Sequence, residues 1–206
     1  MFPLFDDKLF ECDIPGPTKQ EIRAIVLSKM KIFPGCRILE VGTGTGAVTS
    51  DLERLGCYVI SLDQNEYITD APGRKFTRYA DYIQALSPWF ASRSVVFDSI
   101  FIGGSEHVEE TITLAYDLIK RDGVIVINAF SLDTLTRASR ALEVTFGNYD
   151  VIQVTVSKAE KLGKHRSFIA RNPVFIFFTL PKLETLFLPL VFLLSVDPLE
   201  QFCPYL

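Results

Sequence analysis

From Thr18 onward the apolar residues alternate between helical spacing and the short continuous runs of buried strands. Thr18-Lys-Gln-Glu21 reads as a capping box, in which the threonine oxygen takes an N3 amide proton and Glu21 reaches back to the Thr18 amide. Ile22, Ile25, Val26 and Met30 then form one apolar helix face, and Pro34-Gly35 ends the segment. Arg37-Ile-Leu-Glu-Val41 predicts a buried strand that runs straight into Gly42-Thr-Gly-Thr-Gly46 and a second helix. Cys57 to Leu62 predicts the next strand, closed by Asp63. The eleven residues from Gln64 to Arg74, broken by Pro72-Gly73, predict a crossover helix that is absent or one turn long. A strand at Lys75 to Tyr79, a helix from Asp81 and a strand from Phe97 to Ile102 follow, the last ending in Gly103-Gly104-Ser105. Next come a helix through Glu106 to Lys120, an apolar strand from Val124 to Asn128 and a helix from Leu132 to Phe146. Two last strands, Tyr149 to Val156 and Ser167 to Phe177, flank a basic turn. Strand–helix units of this length specify an α/β fold with a mostly parallel sheet covered on both faces, to which the final hairpin adds one antiparallel strand.

Length and composition fit one such domain: 206 residues, 48% apolar and 22% charged, enough to bury a core without metals or disulfides. With 21 Lys+Arg against 25 Asp+Glu the formal net charge is -4, which argues against bulk attraction to nucleic acid. Cys12, Cys36, Cys57 and Cys203 are scattered, with no Cys-x-x-Cys pair and no metal spacing, so they predict reduced thiols in a cytoplasmic protein. Met1 to Phe10 has neither a basic n-region nor a continuous apolar h-region, so no signal peptide is predicted. Residues 179–206 read as an apolar extension of a domain spanning 1–178. The uncharged run from Thr185 to Val196 is twelve residues, short of the roughly 20 that span a bilayer, and favours a helix buried on the domain or at a subunit interface over membrane insertion.

Gly42-Thr-Gly44-Thr-Gly46-Ala47 satisfies the G-x-G-x-x-G/A pattern, follows a strand, opens a helix and has Asp63 about twenty residues on. Close backbone approach to a ligand and a carboxylate for ribose hydroxyls are shared demands of NAD and of S-adenosyl-L-methionine. Glu40, two residues before the first glycine, separates them: beside a pyrophosphate it repels, beside an ammonium or sulfonium it attracts. The pattern therefore favours S-adenosylmethionine. Asp81 reads either as an acceptor for an adenine amino group or as a helix N-cap.

Glu40-Val-Gly-Thr-Gly-Thr-Gly46 resembles motif I of the class I S-adenosylmethionine-dependent methyltransferases. Gly16-Pro-Thr-Lys-Gln-Glu-Ile-Arg23, Ile100-Phe-Ile-Gly-Gly-Ser105, Val124-Ile-Val-Ile-Asn-Ala129, the Lys161-Leu-Gly163 turn and Arg171-Asn-Pro-Val-Phe-Ile176 occur with it in order. Together, from Ile14 to Phe177, they resemble the decarboxylating cobalt-precorrin-6B methyltransferases of cobalamin biosynthesis. That resemblance implies a Rossmann-like fold with a seven-stranded sheet, methylation of carbon 15 of a corrinoid and loss of carbon dioxide from the acetate on carbon 12. It also implies a homo-oligomer, commonly a tetramer. Carried over by position, it makes Thr18, the loop residues Gly42, Thr43, Gly44, Thr45 and Gly46, Asp63, Asp81 and Tyr82 cofactor-binding, beside Glu40. Tyr82 stands where the family has a small residue, and the short Gln64 to Arg74 connection is a second departure, leaving the adenine side more open.

The substrate belongs outside the carboxyl ends of the strands, which places Gly103, Gly104, Ser105 and Asn128 beside it. A tight turn and a helix N-cap are the structural alternatives for the glycines and Ser105. A corrinoid is a polyacid, and the segment Ser157 to Arg171 offers Lys158, Lys161, Lys164, Arg166 and Arg171 with His165 against Glu160 alone. Lys161 and Arg166 are thus candidate carboxylate contacts at a hairpin tip, with Lys19 and Arg23 of the first helix beside them. A solvated turn is the plain alternative. His107 and His165 have no visible partner, so no catalytic residue and no metal ligand is named. An RNA methyltransferase of the same class, gripping phosphate with the basic hairpin, and a catalytically silent interaction subunit are the other functional readings.

Overall fold

The computed structural model describes residues 4–12, 16–87, 95–104 and 106–179. The apolar extension, apart from Thr179, and Ser105 and Cys203 lie outside them. A seven-stranded sheet runs in the order β3-β2-β1-β4-β5-β9-β6. Its strands are β1 (Arg37–Val41), β2 (Tyr58–Asp63), β3 (Asp81–Gln84), β4 (Phe97–Ile102), β5 (Ile119–Ala129), β6 (Tyr149–Val154) and β9 (Val174–Thr179). β9 alone is antiparallel to its neighbours, β5 and β6, as the hairpin predicts. Strands β7 (Ser157–Leu162) and β8 (His165–Ala170) form a separate two-stranded arm between β6 and β9. The single strand expected over Ser167 to Phe177 is therefore broken, at a stretch containing Pro173, which has no amide proton for a ladder.

Alternation along the parallel strands sorts the core into two layers. Helices α1 (Gln20–Lys29) and α2 (Ala47–Arg54) bury Val26 and Leu52 against Ile38, Val59, Phe101 and Val126. On the opposite face α3 (Val108–Leu118) and α4 (Leu132–Thr145) bury Ile112 and Leu142 against Leu39, Leu62, Ile100 and Ile127. No helix among the described residues is long and apolar enough to cross a membrane.

Three local expectations are corrected. Thr18 does not cap α1: Lys19 holds the N-cap position without a side-chain bond. The Thr18 carbonyl instead accepts from Arg23 at 2.6 Å, and Glu21 pairs with Lys158 at 2.7 Å. The strand expected at Lys75 to Tyr79 lies later, at β3, because the Glu53 carboxylate accepts the amides of Arg78, Tyr79 and Ala80 at 2.6, 3.0 and 2.7 Å and so keeps them out of the ladder. Asp81 accordingly opens a strand and not a helix. The connection before it is short, as expected, with 3-10 turns at Glu66–Asp70 and Pro72–Phe76.

The third correction concerns the thiols. Cys36 and Cys57 are joined as a disulfide, with Cα atoms 4.6 Å apart, whereas Cys12 is free. Parallel pairing of Arg37 with Tyr58 puts the preceding residues side by side, so cross-strand register makes the contact that the sequence spacing hides. Closing a loop with a sequence separation of 21 restricts the unfolded chain by about 3 kcal/mol. Reduction, or Cys36→Ser, is expected to lower stability by about that amount in denaturant titrations, with wild type and variant coinciding once reductant is present.

Candidate functional site

The sheet order reverses direction between β1 and β4, so their carboxyl ends part and leave a crevice. Its floor is made by glycine. The Val41 carbonyl accepts the amides of both Gly103 and Gly104, at 2.7 and 3.2 Å, drawing the turn after β4 against Gly42. A Cβ on Gly42, whose φ is +88°, would lie 2.5 Å from the Gly104 nitrogen. Here the glycine alternative of a tight turn and the binding reading describe the same atoms: close packing lowers the floor and leaves backbone exposed to a ligand.

Two chambers flank that floor and share Gly42, Gly44, Tyr67 and Gly103. The one on the α3 side, about 270 Å³, is bounded by Asp63, Gln64, Ala85, Leu86 and His107. Asp63 is held by the Gly44 amide at 2.9 Å on one oxygen and by the amide and side chain of Asn65, at 3.0 and 2.9 Å, on the other. The oxygen that takes the Gly44 amide keeps a lone pair for a further donor, whereas the two Asn65 bonds fill the other. The chamber on the α1 side, about 340 Å³, is bounded by Thr18, Lys19, Glu40, Asn128 and Phe130.

Glu40 is fully buried on the face of β1 shared with Ile38. One carboxylate oxygen accepts from the hydroxyls of Thr49 and Ser61, the latter at 2.9 Å, and the other has no partner. Burial pushes its carboxyl up to about 8, more than the two hydroxyl bonds pull it down. The Asn128 side-chain oxygen is likewise buried without a partner. The unpaired oxygens of Glu40 and Asn128 on one chamber suit a ligand that brings N–H donors or positive charge, which Glu40 accepts once ionised.

The expected residues divide accordingly. Thr18, Lys19, Glu40, Gly42, Thr43, Gly44, Thr45, Gly103 and Asn128 line the α1-side chamber, and Asp63, Gly103 and Gly104 the other. Gly46 is the N-cap of α2, packed on Tyr82 and Gly73. Asp81 and Tyr82 line neither chamber. Asp81 pairs in register with Ile60, three residues below the strand end at Asp63, and accepts from the Tyr58 hydroxyl. Tyr82 packs behind the glycine loop, its ring beneath the Arg74 guanidinium at 4.8 Å. The residues that follow β3, Ala85 to Ser87, line the α3-side chamber instead, which only the Asp63–Gln84 register shows. Lys161 and Arg166 face each other on the exposed arm and line no chamber, while Arg23 is fully buried and committed to Asp7 and Asp51.

The profile of a family described as the precorrin methyltransferase domain matches residues 8–180. A protein of Saccharolobus solfataricus named probable cobalt-precorrin-6B C(15)-methyltransferase (decarboxylating) is 35% identical over 85% of this chain and 94% of its own length. One of the same name from Thermoplasma volcanium is 37% identical over 82% and 90%. A crystal structure of precorrin-6y C5,15-methyltransferase from Geobacter metallireducens superposes with a TM-score of 0.79 at 31% identity, covering 85% of this chain and 97% of that one.

The buried acid yields a prediction that needs no ligand. The folded protein keeps a proton on Glu40 up to about pH 8, whereas the unfolded chain releases it near 4.5, so wild-type stability falls as pH rises between those values. Glu40→Gln removes that dependence. Its free energy of unfolding, from denaturant titrations, is expected to match wild type below pH 4.5 and to exceed it progressively up to about 8, by at most about 1.4 kcal/mol for each pH unit. A constant difference across the range would refute this assignment.

Proposed function

Because the chain belongs to the precorrin methyltransferase domain family, we propose that it methylates carbon 15 of cobalt-precorrin-6B and removes carbon dioxide from the acetate on carbon 12, with S-adenosyl-L-methionine as methyl donor. The observation that carries the reading is the unpaired, fully buried oxygen of Glu40 at the edge of a glycine-floored crevice. A donor set of this kind fits a ligand with an ammonium and a ribose. Bound there, S-adenosylmethionine supplies a methyl group made electrophilic by a sulfonium. Glu40 would hold the ammonium, and the amide-braced Asp63 the ribose hydroxyls. Ala85, Leu86 and Ser87 would enclose the base in place of Asp81 and Tyr82.

Methyl transfer to a ring carbon depends on alignment and dryness more than on a strong base. Asn128 and the exposed Phe130 line the α1-side chamber, where the amide would fix a polar group of the ring and the aromatic face would pack on it. Electrons released by decarboxylation have a sink in the conjugated ring, so this chain need supply no base for that step. The reading extends to a cytoplasmic homo-oligomer, a tetramer by the resemblance. The Cys36–Cys57 disulfide removes the thiol argument for that compartment, leaving the family and the reaction as its support. An RNA substrate is disfavoured by the acidic balance of the chain.

Gly44 offers the test. A Cβ there meets nothing within 4 Å, and its φ of +53° is one a non-glycine residue adopts at modest strain, so Gly44→Arg should fold and fill the crevice. Calorimetry is expected to give micromolar S-adenosylmethionine binding by wild type and none by the variant, with unchanged circular dichroism. Because Glu40 must ionise to meet a cation, affinity should rise with pH, by at most about tenfold per unit, and level off near 8. Labelled methyl transfer with release of carbon dioxide from the corrinoid then tests the reaction itself. A folded wild type that does not bind the donor overturns the enzymatic reading.

A further inference from the structure

A third cavity, about 340 Å³, lies between the segment before α1, α1 itself and the base of the arm. It shares Lys19, Ile22 and Val174 with the α1-side chamber, so the two adjoin as a trough divided at those side chains. Its floor is apolar, with Ile22, Val156 and Val174, and its rim is charged. That profile suits a large flat body with charged arms.

The rim's charges are unevenly committed. Asp7 is neutralised by Arg23 and Glu21 by Lys158, both at 2.7 Å. Asp6 caps the 3-10 turn Asp7–Phe10 through the Lys8 amide, and Glu11 shares the rim with Lys8. Lys19, at the junction of the two cavities, has no ion-pair partner among the described residues. Arg171 uses one terminal nitrogen on Glu160 at 2.6 Å, and Lys158 one bond on Glu21, so both keep donors for an incoming oxygen. The basic residues nearer the arm's tip, Lys161 and Arg166, are absent from this trough.

We infer that this second cavity is the docking site for the carboxylate arms of the macrocycle, held by Lys19, Lys158 and Arg171 while the ring to be methylated lies in the α1-side chamber. The inference rests on the proposed function and adds to it the site and the chemistry of substrate recognition. Lys158 and Arg171 line the cavity that Glu40 does not reach, so carboxylate arms held there stay clear of the buried acid, while Lys19 serves the junction.

The experiment uses cobyrinic acid, a corrin polycarboxylate, and its heptamethyl ester as the uncharged control, titrated by fluorescence or calorimetry. Lys19→Gln and Arg171→Gln are each expected to weaken acid binding about fivefold and together about 25-fold, the size of a partly exposed ion pair per site. Ester affinity of both variants and S-adenosylmethionine affinity of Arg171→Gln should be unchanged, which also certifies that the variants fold. Lys161→Gln and Arg166→Gln should leave acid binding as in wild type. Loss of ester binding in step with the acid, no loss of either, or a larger effect at Lys161 and Arg166 would each overturn the inference. A wild type that binds S-adenosylmethionine but not cobyrinic acid overturns the corrinoid assignment, and this site with it, while sparing the methyl donor.

Discussion

The molecule is organised around one close backbone approach, where the carbonyl of Val41 accepts two successive amides from the turn after β4 and brings Gly104 against Gly42. A side chain on Gly42 would prevent that contact, since its Cβ would lie 2.5 Å from the Gly104 nitrogen. Once it is made, the carboxyl ends of β1 and β4 share a low floor, and the helices beyond them rise as walls. The glycine loop is tied to the neighbouring strand, where Asp63 accepts the Gly44 amide. Sheet topology supplies the opening, but the glycines set its depth.

That floor matters because it leaves Glu40 buried rather than solvated. A carboxylate with one satisfied oxygen and one orphan is a poor choice for a core, and its raised pKa registers the penalty. The same feature is what a cationic ligand needs: an acceptor in a low-dielectric wall, held at a fixed angle by Thr49 and Ser61. Stability in the free state and affinity in the bound state are thus opposed at a single side chain, the sign of a residue kept for binding.

The fold was largely legible because buried parallel strands leave continuous apolar runs and their crossover helices leave a second period. Glu40, the glycine loop, Asp63 and Asn128 could be placed because each sits at or just past the end of such a run. What failed depended on contacts between distant segments. Glu53 is twenty-five residues from Arg78, yet its carboxylate decides that Arg78 to Ala80 stay outside the sheet, and that displacement moves Asp81 from the crevice to the foot of β3. Cys36 and Cys57 meet only through the register of β1 with β2. The hairpin's positive charge was visible, but not its division between an exposed arm and the base of a trough.

Arg23 carries that lesson furthest. An arginine on an amphipathic helix reads as solvent-facing, and here it is entirely buried, bonded to Asp51 at 2.6 Å, Asp7 at 2.7 Å and the carbonyls of Phe5 and Thr18. The four groups it satisfies lie on three pieces of chain: the N-terminal segment with Phe5 and Asp7, the approach to α1 with Thr18, and α2, directly after the glycine loop, with Asp51. The guanidinium fork can do this because its donors diverge in a plane, which a lysine cannot reproduce. Its partners on the N-terminal side include Thr18, a wall of the α1-side chamber, and its partner on the other side, Asp51, lies in the helix that Gly46 opens. Removing the side chain would leave Asp51 buried without its cation, a loss of the order of 3–5 kcal/mol, and would release the wall from the loop. The charge that seemed available for substrate is instead the pin that holds the two sides of the crevice in register.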